Sequence, residues 1–442
     1  MTRAFEGERA VVIGLGVAGA AAARVLADEG ADVVVSEARD HVDTSADLRG
    51  IRVRLGGHDR RHLEDATLVV ASPGVTPDAP VLRWARELGL PVWGELELGA
   101  RLAAAPYVSV TGTNGKTTTT EMIAACLRAD GLDAIACGNI GHPFPVAARG
   151  PHDVLVVECS SFQLRMQESF HPRVSVLLNV APDHLDWHGS FEEYAAAKAR
   201  VFANQRDGDV HVGNRDDATG AAISGSAHCD ISWFTLGEPE VGGTGYVNGE
   251  LIGRWDADEW LGRPAFDLPA LRADAAACAA ACHAFGARAD SIRRGLTGFE
   301  PGRHRGEVVV TIDGVRFVDN SKATNPHATL AAVGDASGVV LIAGGDAKGV
   351  DLSPIGALAG RLAGVVAIGA SADEVVSLFE ERIPTRRAET IEEAVAMAYE
   401  LAPSPGTVLL APACASWDLF RDYRERGDRF AVAARDLAGV SA

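Results

Sequence analysis

Basic side chains are scarce in this sequence. Lys and Arg number 41 against 60 Asp and Glu, a formal net charge of −19 over 442 residues. A field of that sign repels phosphate backbones and anionic bilayers, which argues against nucleic acid as a partner. A nucleotide would have to be held by locally placed cations and backbone N–H groups. Long apolar runs are missing as well. None reaches the ~18 residues needed to span a bilayer, so no membrane insertion is expected. No charged stretch leading into an apolar one precedes the first strand, so no secretory leader is expected. Cysteines number seven, with no C-x-x-C pair. The odd count argues against a disulfide framework or a zinc ribbon, and for a reducing, cytoplasmic compartment. Cys278 and Cys282, four apart in an Ala-rich helical stretch, read as small core residues.

A chain of this length suits about three domains, and its pattern supplies them. Arg9 to Ile13 reads as a buried strand, Val17 to Glu29 as a helix, and Ala31 to Ser36 and Leu68 to Ala71 as further strands. This β-α-β rhythm predicts a parallel sheet. A second unit opens with Tyr107 to Thr111. Asp153 to Val157 and Val174 to Asn179 read as central parallel strands. The stretch from about 204 to 262 is expected to form a small antiparallel side sheet, with a hairpin at Tyr246-Val-Asn-Gly-Glu-Leu-Ile252. A third α/β unit begins after Glu300-Pro-Gly. It has a hairpin around Asp313-Gly314 and buried strands at Val339 to Ala343, Gly364 to Ile368 and Thr407 to Leu410. Expected domains are 1–94, 95–301 and 302–442.

The strongest chemical signal is Thr111-Gly-Thr-Asn-Gly-Lys-Thr-Thr118, between a buried strand and a helix. Glycines let backbone N–H groups curl around phosphate oxygens, and the helix N-terminus adds positive potential. Gly112, Thr113, Asn114, Gly115, Lys116, Thr117 and Thr118 are therefore candidate ATP contacts. Lys116 would reach the β- and γ-phosphates, and the Thr117 hydroxyl would ligate Mg²⁺. The pattern is G-x-x-G-K-T; the longer common form would need glycine where Val110 stands. Glu158 ends a buried strand, where a carboxylate can meet Mg²⁺. His184, in Asp183-His-Leu-Asp186, is a second candidate ligand that Asp183 and Asp186 would orient. Lys198 shares a helical face with Phe191, Tyr194 and Phe202. An inward lysine needs a partner or a lowered pKa. A neutral amine can add CO₂ to give a carbamate, an oxygen ligand for Mg²⁺; snorkelling to solvent is the alternative.

Together these blocks resemble the Mur ligase family: the shortened phosphate loop, Glu158-Cys-Ser-Ser-Phe-Gln-Leu164, Asp183-His-Leu-Asp186, Lys198, Asp319-Asn-Ser-Lys-Ala-Thr-Asn325, Gly344-Gly-Asp-Ala-Lys348 and Ala411-Pro-Ala-Cys-Ala-Ser-Trp-Asp418. They stand in family order across nearly the whole chain. The second and last point to the branch that adds D-glutamate. The resemblance implies a Rossmann-like N-terminal domain, a central P-loop ATPase-like domain and a Rossmann-like C-terminal domain. It implies UDP-N-acetylmuramoyl-L-alanine and D-glutamate as substrates, with ATP, two Mg²⁺ ions and a CO₂-derived carbamate on Lys198. Gly14, Leu15, Gly16, Glu37, Ser72, Pro73, Gly74 and Asn139 would meet the UDP substrate. Lys322, Thr324, Lys348, Ser416 and Tyr423 would meet D-glutamate. Asp274, Arg305 and Asn320 would lean toward the nucleotide, although the family's polar patch near 271 keeps only Asp274 here. A monomer is expected.

Competing readings are another ligase of the same family adding a different amino acid, a non-catalytic nucleotide-binding protein, against which the set Lys116, Glu158, His184 and Lys198 argues, and an oxidoreductase. Gly14-Leu-Gly16-Val-Ala-Gly19 with Glu37 about 20 residues on fits a dinucleotide fingerprint, which by itself would indicate an NAD-dependent oxidoreductase. It leaves the phosphate loop, Glu158 and Lys198 without a role.

Overall fold

Short runs of Val, Ile and Leu, apolar on both faces, form central parallel strands because only a sheet covered by helices on both sides can bury them. The computed structural model describes residues 3–43, 47–264, 266 and 268–439; the Asp186 side chain lies outside the described residues. Three sheets result. The first contains β1 (Arg9–Ile13), β2 (Asp32–Ser36), β3 (Arg52–Arg54), β4 (Leu68–Ala71) and β5 (Val92–Gly94), all parallel in the order β3-β2-β1-β4-β5. The Ala-rich helix Val17–Asp28 covers one face, burying Ala22, Ala23 and Leu26. β3 and β5 carry no sequence signal, being short and flanking the core strands.

The second sheet has nine strands: β6 (Tyr107–Thr111), β7 (Ala134–Gly138), β8 (Val154–Glu158), β9 (Val174–Leu177), β10 (Val210–Asn214), β11 (Asp230–Phe234), β12 (Gly243–Val247), β13 (Glu250–Arg254) and β14 (Asp258–Gly262). Their order is β14-β13-β12-β11-β10-β9-β6-β8-β7. The expected side sheet is thus continuous with the central one, and it is mixed. β10 and β11 run parallel to β9, while β12, β13 and β14 pair antiparallel. The hairpin turn is at Asn248 and Gly249, both at positive φ (52° and 79°), as a two-residue Asn-Gly turn requires.

The third sheet holds β15 (Glu307–Ile312), β16 (Val315–Asp319), β17 (Val339–Ala343), β18 (Leu362–Ile368), β19 (Thr385–Ala388) and β20 (Gly406–Leu410), in the order β15-β16-β20-β17-β18-β19. Only the β15–β16 hairpin is antiparallel. The α/β class expected from the sequence is borne out. The chain divides into two compact units, Met1–Pro264 with Asp274–Phe299, and Ala265–Ala273 with Glu300–Ala442. The first unit carries two of the sheets. No helix among the described residues is long and apolar enough to cross a membrane.

Candidate active site

β6 lies between β8 and β9, so the connections from neighbouring strands leave in opposite directions. In a parallel sheet that arrangement opens a crevice at the carboxyl ends of the strands. Register then decides what meets there. Val110 stands beside Glu158, and Thr111 beside Leu177. The glycine-rich loop, Glu158 and the segment after β9 therefore emerge on one edge.

The loop passes into the helix Lys116–Ala129 through Gly115, whose φ is +84°. A Cβ there would lie 2.2 Å from Asp274 Oδ1, so glycine is required on two counts. No side chain caps this helix start, which leaves its first amides for an anion. The loop is latched from outside. Asn114 N donates to Asn179 Oδ1 at 2.9 Å, and Asn179 Nδ2 donates to Asn114 O at 3.2 Å. Thr113 Oγ1 accepts from Ala181 N (3.0 Å), donates to Ala181 O (3.1 Å), and lies 3.0 Å from the Tyr194 hydroxyl. Asn179 and Tyr194 were not singled out by the sequence as loop partners. Thr118 is buried in the first turn.

Two lysines meet on one carbonyl. Lys116 Nζ donates to Gly112 O at 2.9 Å and to Thr113 O at 2.8 Å, and Lys198 Nζ donates to Gly112 O at 2.7 Å. Lys198 is 1% exposed and sits 4.5 Å from the Tyr194 ring centre. It does not snorkel. Burial, reinforced by the charge of Lys116, holds its pKa well below the ordinary lysine range, which favours the neutral amine.

Glu158 is buried at the end of β8 and both of its oxygens are engaged. Thr117 Oγ1 donates to Oε2 at 2.7 Å and Asn139 Nδ2 donates to Oε1 at 2.8 Å. These partners are neutral. A buried carboxylate beside a hydroxyl is a hard-oxygen donor pair of the kind Mg²⁺ takes. His184 has a left-handed backbone (φ 53°) and a half-exposed ring. The ring packs edge-on against Phe162, and Nε2 is 3.8 Å from Asp183 Oδ2.

In the first sheet the Gly14 loop, Glu37 and Ser72 converge. Leu15 N donates to Glu37 Oε2 at 2.6 Å and Ser72 Oγ to Gly14 O at 3.0 Å. Arg39 Nε and Nη2 donate to the two oxygens of Glu37 at 2.9 and 3.0 Å. The Arg39 hydrogen bond holds the Glu37 carboxyl down at about 2. Leu15 and Arg39 thus fix the Glu37 carboxylate beside the Gly14 loop. Pro73 and Gly74 follow Ser72 after β4, and a Cβ on Gly74 would meet no atom within 4 Å.

The second unit gathers a different set. Lys322 Nζ lies 4.2 Å from the Tyr423 ring centre, and Lys348 Nζ lies 5.4 Å from that of Trp417, the neighbour of Ser416. Arg426, 1% exposed, binds no carboxylate among the described residues. Its Nε donates to Ser321 Oγ (3.0 Å), Nη2 to Ser321 O (2.9 Å), and Nη1 to Cys414 O (3.1 Å) and Ala415 O (3.3 Å). It pins the segments that follow β16 and β20, which carry Lys322 and Ser416, to the helix Tyr423–Leu437. No local pattern marks this pairing, since Ser321 lies 105 residues from Arg426. Asn320 N donates to Leu410 O at 2.9 Å. Thr324 and Arg305 are half-buried, and Arg305 follows His304, whose Nδ1 is 2.7 Å from Asp319 Oδ2.

Fold and loop geometry define a phosphate-loop α/β protein. The Mur ligase middle-domain model matches residues 110–241 and the Mur ligase MurD-like N-terminal model matches residues 8–94. The chain is 44% identical to the UDP-N-acetylmuramoylalanine–D-glutamate ligase of Frankia casuarinae, over 97% of this chain and 94% of that protein. It is 42% identical to that of Streptomyces avermitilis, over 98% and 99%. Among solved structures, a pseudomurein peptide ligase type C from Methanothermus fervidus matches 98% of this chain and 100% of its own at a TM-score of 0.62 and 20% identity. MurF ligase from Thermotoga maritima, in complex with ADP, matches 99% and 96% at 0.61 and 16%; both share the fold. This chain belongs to the Mur ligase family.

Proposed function

We propose that this protein uses ATP to join D-glutamate to UDP-N-acetylmuramoyl-L-alanine, forming an amide with release of ADP and phosphate, in peptidoglycan precursor synthesis. Near full-length identity to ligases named for that reaction carries the reading. In this reading the substrate carboxylate attacks the γ-phosphate, and the amine of D-glutamate displaces phosphate from the resulting acyl phosphate. Two anions must meet in the first step, so catalysis is chiefly neutralisation and alignment.

The loop amides and Lys116 would take the triphosphate, with Asp274, Arg305 and Asn320 toward the nucleotide. Lys116 then exchanges its present carbonyl partners for phosphate oxygens. Thr117, Glu158 and His184 would hold two Mg²⁺ ions, which offset phosphate charge when bound. The hard oxygens of Thr117 and Glu158, the latter without a cationic hydrogen-bond partner, fit that use. Lys198, whose burial favours the neutral amine, would carry a CO₂-derived carbamate as an additional oxygen donor. The Gly14 loop, Glu37, Ser72, Pro73, Gly74 and Asn139 would meet the UDP substrate. Lys322, Thr324, Lys348, Ser416 and Tyr423 would meet D-glutamate. The reading further takes the protein as a cytoplasmic monomer; a solution mass of twice 46.2 kDa would overturn the latter.

The deciding assay supplies ATP, Mg²⁺ and UDP-N-acetylmuramoyl-L-alanine and measures phosphate release with D-glutamate, L-glutamate, L-alanine or diaminopimelate. Turnover with D-glutamate is expected. Turnover only with another of these amino acids would reject the specificity and retain the ligase chemistry.

A further inference from the structure

Cys126 lies on the helix Lys116–Ala129, whose first turn is the phosphate loop. Cys278 and Cys282 lie one turn apart on the helix Pro269–Phe285. All three are fully buried. Cys278 Sγ is 3.7 Å from Cys126 Sγ and 3.9 Å from Cys282 Sγ, and the three sulfurs lie within 4.8 Å of one another. A point equidistant from three atoms so placed is about 2.2–2.5 Å from each, a range that brackets the roughly 2.3 Å of a zinc–thiolate bond. The triangle is therefore of metal-binding size, although its members also satisfy an ordinary packing role.

We propose that Cys126, Cys278 and Cys282 form a three-sulfur site for a soft monovalent metal ion of the Cu(I) class. Two features select that class. The donors are sulfur, which disfavours Mg²⁺ and Ca²⁺ and favours soft ions. Among the described residues no fourth His, Cys, Asp or Glu joins the cluster, and full burial keeps water from filling a fourth position, so the four-coordination that zinc prefers is not met. The thiol hydrogens of Cys126 and Cys282 now point to Ile292 O (3.6 Å) and Ile123 O (3.8 Å). Binding of one monovalent ion would release one thiol proton to solvent as the metal–sulfur bonds form, so the buried site keeps its net charge.

The placement gives such an ion a mechanical effect. Asp274, on the same helix as Cys278 and Cys282, rests against Gly115 of the phosphate loop. An ion held by all three sulfurs would tie the two helices that support that loop.

The test uses the full-length, reduced protein under anaerobic conditions, titrated with Cu(I) as its acetonitrile complex against a chromogenic Cu(I) chelator. One ion per chain should be retained, and X-ray absorption should count three sulfur neighbours. The melting temperature should rise by about 5 °C or more at saturating ion. Cys278→Ala should weaken retention by more than about 100-fold, beyond the usual cost of losing an outer partner. Cys229→Ala, at a half-buried thiol outside the cluster, should change nothing. Circular dichroism establishes that each variant is folded. Should Cys278→Ala fail to fold, Cys282→Ser serves the same comparison, and the sulfur count on the unaltered protein stands independently. Surrender of the ion to chelator, fewer than three sulfurs, or equal retention in the cluster variants would overturn the site and leave three packed core thiols.

Discussion

Thr117 Oγ1 and Glu158 Oε2 are 2.7 Å apart, a hydrogen bond that links the start of the loop helix to the end of β8 across 41 residues of sequence. Asn139 holds the other carboxylate oxygen, so the carboxylate is fixed before any cation arrives. Glu158→Gln keeps the shape and removes the charge. We expect phosphate release to fall by about 10²–10³-fold, the scale of losing one preorganised electrostatic contact, with the melting temperature little changed. Retained activity at unchanged Mg²⁺ dependence would remove Glu158 from the metal site.

Lys198 is tested by chemistry that a packing role would not imitate. Lys198→Ala should abolish turnover, and short carboxylic acids should restore part of it by supplying the oxygens of the carbamate. Rescue that rises with acid concentration, measured as phosphate release, supports the carbamate. A fully active Lys198→Ala protein would end it.

The phosphate loop, Glu158 and both hairpins were legible because their signals are local. Gly115 must be glycine for its φ, Glu158 terminates its own apolar strand, and Asn248-Gly249 and Asp313-Gly314 announce their turns within two residues. What was not legible depends on pairing across the chain. Asn179 reaches Asn114 across 65 positions and Tyr194 reaches Thr113 across 81, and neither has a pattern marking the distant partner. β10 and β11 look like part of a Gly- and Asp-rich side region, yet they extend the central sheet in parallel, because the helices Phe191–Ala199 and Ala218–Ser224 cross over before each of them. The positive φ of Lys348, 50°, follows Asp346, whose Oδ1 accepts from Lys348 N; that turn is again visible only in three dimensions.

Glu95 supplies a pH prediction. It is 1% exposed, Gln163 Nε2 donates to its Oε1, and its Oε2 has no partner. Burial raises its pKa from 4.5 to about 7, so the folded protein binds a proton that the unfolded chain has already lost between those values. Its contribution to stability is full below about pH 4.5, decreases as pH rises through about 7, and is absent above. The shift corresponds to at most roughly 3 kcal/mol. Denaturant unfolding from pH 5 to 8 should show the unaltered protein losing stability relative to Glu95→Gln, which carries no titrating group there. Parallel profiles for the two proteins would refute the raised pKa.

Arg426 yields a prediction that separates positioning from folding. Its guanidinium spends four hydrogen bonds on Ser321, Cys414 and Ala415, the neighbours of Lys322 and Ser416. Lysine cannot reproduce a planar fork with donors in fixed directions, so Arg426→Lys keeps the charge and loosens both segments. If those segments present D-glutamate's binding groups, KM for D-glutamate should rise about tenfold or more while KM for ATP stays within about twofold, a cost near 1.4 kcal/mol or above. The change should spare kcat at saturating D-glutamate. A uniform loss of kcat with both KM values unchanged would mean that Arg426 serves only to hold the second unit together, and that Lys322 and Ser416 do not form the amino-acid site.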